Sequence, residues 1–216
     1  MQEYLRPTYT IDCDAESVRA KAEDLTRGLE TPKEKAVALF YFVRDQIRFN
    51  PFSPAEQLEY NKASAVLARG NGFCYQKAIL LAALSRASAI PARLRFADIR
   101  NHILSEEFAA RMFGSNLLVY HGYAELHLDG RWVAATPAYD LKMCQDNGFI
   151  PVDFDGERDA KLHRNAADGR LHIEYVKEHG HRQDFPWEEI LRARDEFVAA
   201  LGIDVGQFMA KWRSVK

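Results

Sequence analysis

The 216-residue chain is poor in cysteine, with only Cys13, Cys74 and Cys144. Three thiols cannot all pair with one another, and no CxxC is present, so neither a disulfide scaffold nor a paired-cysteine metal or redox motif is indicated. Reduced thiols in a cytoplasmic protein are the simplest expectation. Excess charge is also missing. The 29 basic and 31 acidic side chains leave a net −2 and a pI of about 6.4, which gives no electrostatic footprint for nucleic acid or an anionic membrane. The longest apolar run, Ala78–Leu84, is far short of the roughly 20 residues that span a bilayer. The opening MQEYLRPTYT has no basic-then-apolar signal pattern. There is no repeat and no low-complexity stretch.

What is present is a change of period along the chain. Residues 14–29 read as a short amphipathic helix with Val18, Ala22 and Leu25 on one stripe. In TPKEKAVALFYFVRDQI, Thr31 can cap, Pro32 suits the first helical position and Glu34 completes a capping box. Pro51 and Pro54 end that element, and one helical turn is expected near 63–68. Then comes GNGFCYQKAILLAALSRASAIPAR, from Gly70 to Arg93. Its residues 74–88 are good helix formers and apolar on nearly every side, the pattern of a central buried helix. After Pro91 the period becomes two. ARLRFADI (92–99), LLVYHGYAELHL (117–128) and RWVAATPAYDL (131–141) read as strands, and Asp129-Gly130 is a hairpin turn signal. Residues 100–116 form a polar, partly helical excursion, either a lid or an ordinary surface loop. LHIEYV (171–176) is a further candidate strand, Trp187–Leu201 is an amphipathic helix closed by Gly202, and a short last helix follows. Helices first and strands later predict an α+β fold.

A two-residue Asp129-Gly130 loop sets Leu128 against Arg131, Leu126 against Val133 and Ala124 against Ala135. Continued along both strands, it sets Leu118 against Leu141. Both apolar sets then fall on one face, which supports the register. The other face carries His121, Tyr123, Glu125, Trp132, Thr136, Ala138 and Asp140. His121 is then opposite Ala138, with Thr136 and Asp140 on its diagonals. Cys74 stands at the start of the buried helix, among unpaired N–H groups and at the positive end of the dipole. That position is expected to lower the thiol pKa and to offer an oxyanion site. His121 is the candidate general base and acid, and Thr136 or Asp140 the group that orients it.

These residues make the chain similar to the transglutaminase-like superfamily, whose core is related to papain-type cysteine proteases. The resemblance covers roughly 31–140. It rests on the glycine-containing lead into Cys74, the buried helix ending SRASAIPAR, the His-x-x-x-Glu of His121 and Glu125, and the hairpin Trp132. YLRPTYTIDCD and FYFVRDQIRF also resemble bacterial members. The resemblance implies a Cys-His-Asp triad with Cys74 and His121 in the first two places. Two positions depart from the pattern: Thr136 stands where the family usually has Asp, and Ala89 where it commonly has Gly.

The expectation is therefore a single domain over 1–216, with a core at about 31–141 and an extension over 142–216. It would carry out amide acyl transfer or hydrolysis on a peptide or protein through a Cys74 thioester, with no cofactor and no metal. Hydrolysis is favoured over crosslinking, because water is the default acceptor. A non-catalytic binding domain is the alternative, prompted by Thr136. An arylamine-acetyltransferase-like reading is weakened by Gln76, which stands where that group has an acid. Cys13 and Cys144 read as small core residues, Glu125 as an ion-pair partner of Arg93 or Arg95, and His163, His172, His179 and His181 as a solvated polar group without a zinc spacing.

Overall fold

The computed structural model describes residues 1–213, with Trp212 and Arg213 as backbone. The first two helices form where the sequence places them. Helix α1 (Glu16–Thr26) buries Val18 and Ala22. Helix α2 (Pro32–Gln46) has the full capping box: Thr31 Oγ1 accepts the Glu34 N–H at 3.1 Å, and Glu34 accepts the Thr31 N–H at 2.9 Å. Strand β1 (Arg48–Phe49) follows, then α3 (Ala63–Arg69), which Gly70 closes at φ 69°. Strand β2 (Asn71–Gly72) pairs in parallel with β1 and leads directly into α4 (Cys74–Ala87). From Gln76 to Arg86 every residue of α4 is buried. Its two buried cations spend their donors on carbonyls. Lys77 Nζ reaches Arg44 O at 3.0 Å, and the Arg86 guanidinium reaches the carbonyls of Arg6, Ala92 and Gln183.

The remaining elements are β3 (Ala92–Asn101), α5 (Glu106–Arg111), β4 (Leu117–Leu128), β5 (Arg131–Ala135), α6 (Leu141–Asn147), β6 (Ile173–Arg182), α7 (Trp187–Ala200) and α8 (Val205–Arg213). The larger sheet has the order β5-β4-β3-β6, and each neighbouring pair is antiparallel. Helix α4 packs on it, against the face bearing Phe96, Ala124 and Leu126. A second, smaller cluster joins α5, α7 and α8 through Met112, Phe197, Val198 and Phe208. The α+β architecture is as the period change predicts.

The hairpin register holds from Leu128↔Arg131 to Ala124↔Ala135 and then stops. The strand expected over 131–141 ends at Ala135. Thr136 sends its N–H to Ala160 O at 2.9 Å, and Pro137 has no N–H to give. The expected pairs His121–Ala138 and Leu118–Leu141 therefore do not form, and Asp140 becomes the N-cap of α6. Strand β6 is longer than expected. Its charged half, KEHGHR, lies on the open edge of the sheet, where a strand needs little apolar sequence.

Candidate active site

Cys74 is the first residue of α4, and the chain around it is fixed from two sides. The β1–β2 pairing holds the approach, with Asn50 N donating to Gly72 O at 3.0 Å. Gln76 is fully buried one turn into the helix. Its Oε1 accepts the Phe73 N–H at 3.3 Å, and its Nε2 donates to Pro54 O at 2.8 Å and Asn61 Oδ1 at 2.9 Å. The backbone N–H groups of Cys74, Tyr75 and Gly122 are directed at the sulfur. Gly122 was not singled out in the sequence, yet β4 can approach the helix start only because it lacks a side chain. A Cβ there would lie 2.6 Å from Tyr75 Cβ and 3.0 Å from Tyr75 Cα.

His121 sits beside a defect in the sheet. Between the pairs Ala97↔His121 and Ile99↔Leu118, β4 carries one residue more than β3, a β-bulge. Tyr120 takes up the irregularity at φ 53°, costly for an aromatic residue. Asp98 Oδ1 holds it there by accepting the Tyr120 N–H at 3.0 Å. The same oxygen meets His179 Nε2 at 2.7 Å, and the His179 ring stacks on Tyr120 at 4.0 Å. His121 and Cys74 line one cavity of about 430 Å³. Nε2 of His121 is sealed from solvent with no hydrogen-bond partner. The ring meets Tyr175 edge-on, at 6.1 Å between centroids. Thr136 lies against the Tyr175 hydroxyl, but the approach falls short of a formed bond and its Oγ1 is also unpaired. Thr136 is fully buried, has Tyr175 as a neighbour in common with His121, and is not among the residues that line the cavity.

Asp140 does not take the place expected of it. Its Oδ2 accepts the Phe49 N–H at 2.7 Å, and its Oδ1 accepts the Met143 N–H at 2.8 Å. It anchors β1, caps α6 and places negative charge near the buried Lys77 ammonium. Burial lowers the Lys77 pKa to about 7, and Asp140 and Asp45 oppose that. The chain end that was to bring Asp140 beside His121 turns away after Pro137.

The electrostatics also correct the expectation of an activated thiol. Burial raises the Cys74 pKa to about 11, outweighing the three N–H groups that pull it down. The sulfur opens on the cavity but is crowded on its other sides. Burial, with Lys161 adding to it, lowers the His121 pKa to about 3, against the opposing pull of Glu178. At neutral pH the pair rests as thiol and neutral imidazole.

Glu125 pairs with both arginines, Arg93 at 2.6 Å and Arg95 at 3.1 Å. Cys13 and Cys144 are buried, and all three thiols are free. The late histidines do not form one solvated group. His172 is buried and stacked on Phe149 at 4.0 Å, His179 is bonded to Asp98, and His163 reaches Pro151 O at 3.2 Å. Among the described residues, no three His, Cys, Asp or Glu side chains are grouped to hold a metal, and no helix is long and apolar enough to cross a membrane.

A cysteine at the start of a buried helix and a strand histidine thus line one cavity, an arrangement in keeping with thiol-enzyme folds. The family model of the transglutaminase-like superfamily matches residues 19–137, and the chain belongs to that superfamily. Its fold is similar to that of a putative cysteine protease from Cytophaga hutchinsonii, with a TM-score of 0.51 and 17% identity. That match covers 84% of this chain and 46% of the other, so this chain spans less than half of the longer protein. The periplasmic domain of TgpA from Pseudomonas aeruginosa is also similar, with a TM-score of 0.44, 20% identity, and 62% and 45% of the two chains covered. No curated protein matches the sequence.

Proposed function

We propose that the protein transfers or hydrolyses an amide acyl group through a thioester on Cys74, on a peptide or protein substrate. The observation that carries this reading is the placement of Cys74 and His121 on one cavity, with the N–H groups of Cys74, Tyr75 and Gly122 at the sulfur. In the first half-reaction the sulfur–carbon bond forms as the thiol proton passes to His121. The N–H groups take the developing oxyanion. The amide C–N bond then breaks, and His121 returns the proton to the departing amine. Water, or an amine in a transfer reaction, attacks the thioester with His121 again as base. Because both groups rest neutral, proton transfer accompanies attack rather than preceding it. Thr136 takes the third place as a neutral neighbour of His121, and Asp140 acts in structure. Residues 1–216 work as one unit, and three free thiols fit a reducing compartment such as the cytoplasm.

Mass spectrometry after incubation with activated acyl donors tests the proposal. The expected result is one acyl group on Cys74, lost on adding hydroxylamine and absent in Cys74→Ala and His121→Ala. Acylation that survives His121→Ala unchanged removes the base and overturns the reading. A non-catalytic binding domain on the same fold is the second reading, favoured by the unpaired Nε2 of His121 and Oγ1 of Thr136. It predicts that the cavity retains ligands without any acyl adduct.

A further inference from the structure

We infer that α7, which lies beyond the residues matched by the family model, forms the specificity wall of the site. The inferred substrate is an acyl donor whose side chain beside the scissile amide is uncharged and aromatic or branched aliphatic. This rests on Cys74 being the nucleophile proposed above. Trp187, Ile190, Leu191 and Arg194 stand at the i, i+3, i+4, i+7 spacing of one helix face. All four line the cavity that holds Cys74 and His121. All four are only half-buried, unlike a row sunk into a core. Their apolar surface is turned to the space in front of the thiol.

The charge of the lining points the same way. Apart from His121 and Cys74, the ionisable side chains that line the cavity among the described residues are Glu56, Arg194 and three tyrosines, Tyr75, Tyr120 and Tyr139. Arg194 is already paired with Asp195, at 2.9 and 2.7 Å. Glu56 is exposed at the rim and accepts the Ala55 N–H at 3.1 Å. A charged side chain entering the cavity would lose its water, and the lining offers a cation only Glu56, at the exposed rim, and an anion only Arg194, already paired. An apolar one would bury its surface against Trp187, Ile190 and Leu191. The volume, about 430 Å³, suits one large side chain with the adjoining backbone, at the small end of ligand sites.

The test uses N-acetyl aminoacyl fluoromethyl ketones that share one warhead and differ in side chain: Phe, Trp, Leu, Asp and Lys. The sulfur of Cys74 displaces fluoride and forms a thioether, and the thiol proton leaves through His121. Rates are read from the mass of the adduct at Cys74. The Phe and Leu reagents are expected to react at least about ten-fold faster than the Asp and Lys reagents, the scale on which apolar pockets discriminate. The Phe-to-Asp ratio within one protein cancels any change in the thiol itself. In Leu191→Glu that ratio should fall about ten-fold. In Ile190→Ala, a milder change, preference should move toward a bulkier Trp reagent. Equal rates for Phe and Asp in the unmodified protein overturn the inference, as does a ratio untouched by both substitutions. Failure of every reagent at Cys74, iodoacetamide included, overturns the nucleophile itself, a distinguishable outcome.

Discussion

The two halves of β4 follow different rules. From Gly122 to Leu128 the strand is regular, paired with β3 over 122–126 and with β5 over 124–128, and its inward residues Ala124, Leu126 and Leu128 are buried. From Leu117 to His121 it is paired on one edge only, bulged, and held at Tyr120 in a left-handed conformation. The regular half supplies stability through burial, and the irregular half supplies position. A strand kept fully regular would have covered Gly122 N–H with β5 and closed the opening through which Cys74 meets the sheet. Ending β5 at Ala135 leaves that N–H for the sulfur.

Substitutions in the two halves should therefore separate activity from stability. The largest effect is expected at His121→Ala, where acylation of Cys74 should fall about 10²–10⁴-fold, the usual contribution of a general acid–base group. Its unfolding free energy should fall by only about 1–2 kcal/mol for the lost ring packing, less than for a core leucine, because Nε2 has no hydrogen bond to lose. Leu126→Ala, in the regular half, should show the reverse. Unfolding free energy should drop by about 2–5 kcal/mol, while the acylation rate per folded molecule holds. If His121→Ala destabilises as much as Leu126→Ala, the division of labour fails. Gly122→Ala lies at the boundary and should do both, costing about 1–3 kcal/mol for the forced overlap with Tyr75 and slowing acylation.

The pH dependence sharpens the comparison on the side of the irregular half. The pKa of His121 is lowered from 6.5 to about 3, so its neutral form favours the fold. That contribution is present above pH 6.5 and is lost as pH falls toward 3. The pKa of Cys74 is raised from 9.0 to about 11. Its contribution is present below pH 9 and is lost as pH rises toward 11. Iodoacetamide should accordingly label Cys74 slowly at pH 7 and faster as pH approaches 11, still ahead of the buried Cys13 and Cys144. A plateau of thiolate reactivity reached near pH 5 would contradict a neutral resting pair. Thr136→Asp should move the labelling profile to lower pH by supplying a carboxylate at the third place proposed for Thr136. The smallest effect is expected from Asp140→Asn, which keeps an acceptor for the α6 cap but turns an amide NH2 toward the Phe49 or Met143 N–H, costing about 1 kcal/mol and leaving the profile in place.

The regular half was legible in the sequence and the irregular half was not. Hairpin register follows from a two-residue turn and alternation, and each holds from Leu128 to Ala124. The capping box of α2 and the start of α4 at Cys74 follow from local signals of the same kind. The position of Asp140 is not legible locally, because the pairing does not run past Pro137: the Thr136 N–H goes to Ala160, a partner 24 residues away that no local pattern names. The direction of the thiol pKa shift is not legible either, because a helix N-terminus is visible in sequence, whereas desolvation depends on what packs around the sulfur. Gly122 carried no signal beyond a glycine inside a strand, which already suggests close backbone approach.

Arg86 has a consequence for the order of events during synthesis. Its guanidinium, on the central helix, is neutralised by nothing within the helices and binds the carbonyls of Arg6 and Gln183, at opposite ends of the chain. A nascent chain released only as far as β5 would hold α4 with part of that cation unmatched, since Gln183 has not been made. The core should therefore close late, after β6 leaves the ribosome, and stalled chains ending before residue 173 should remain open to protease.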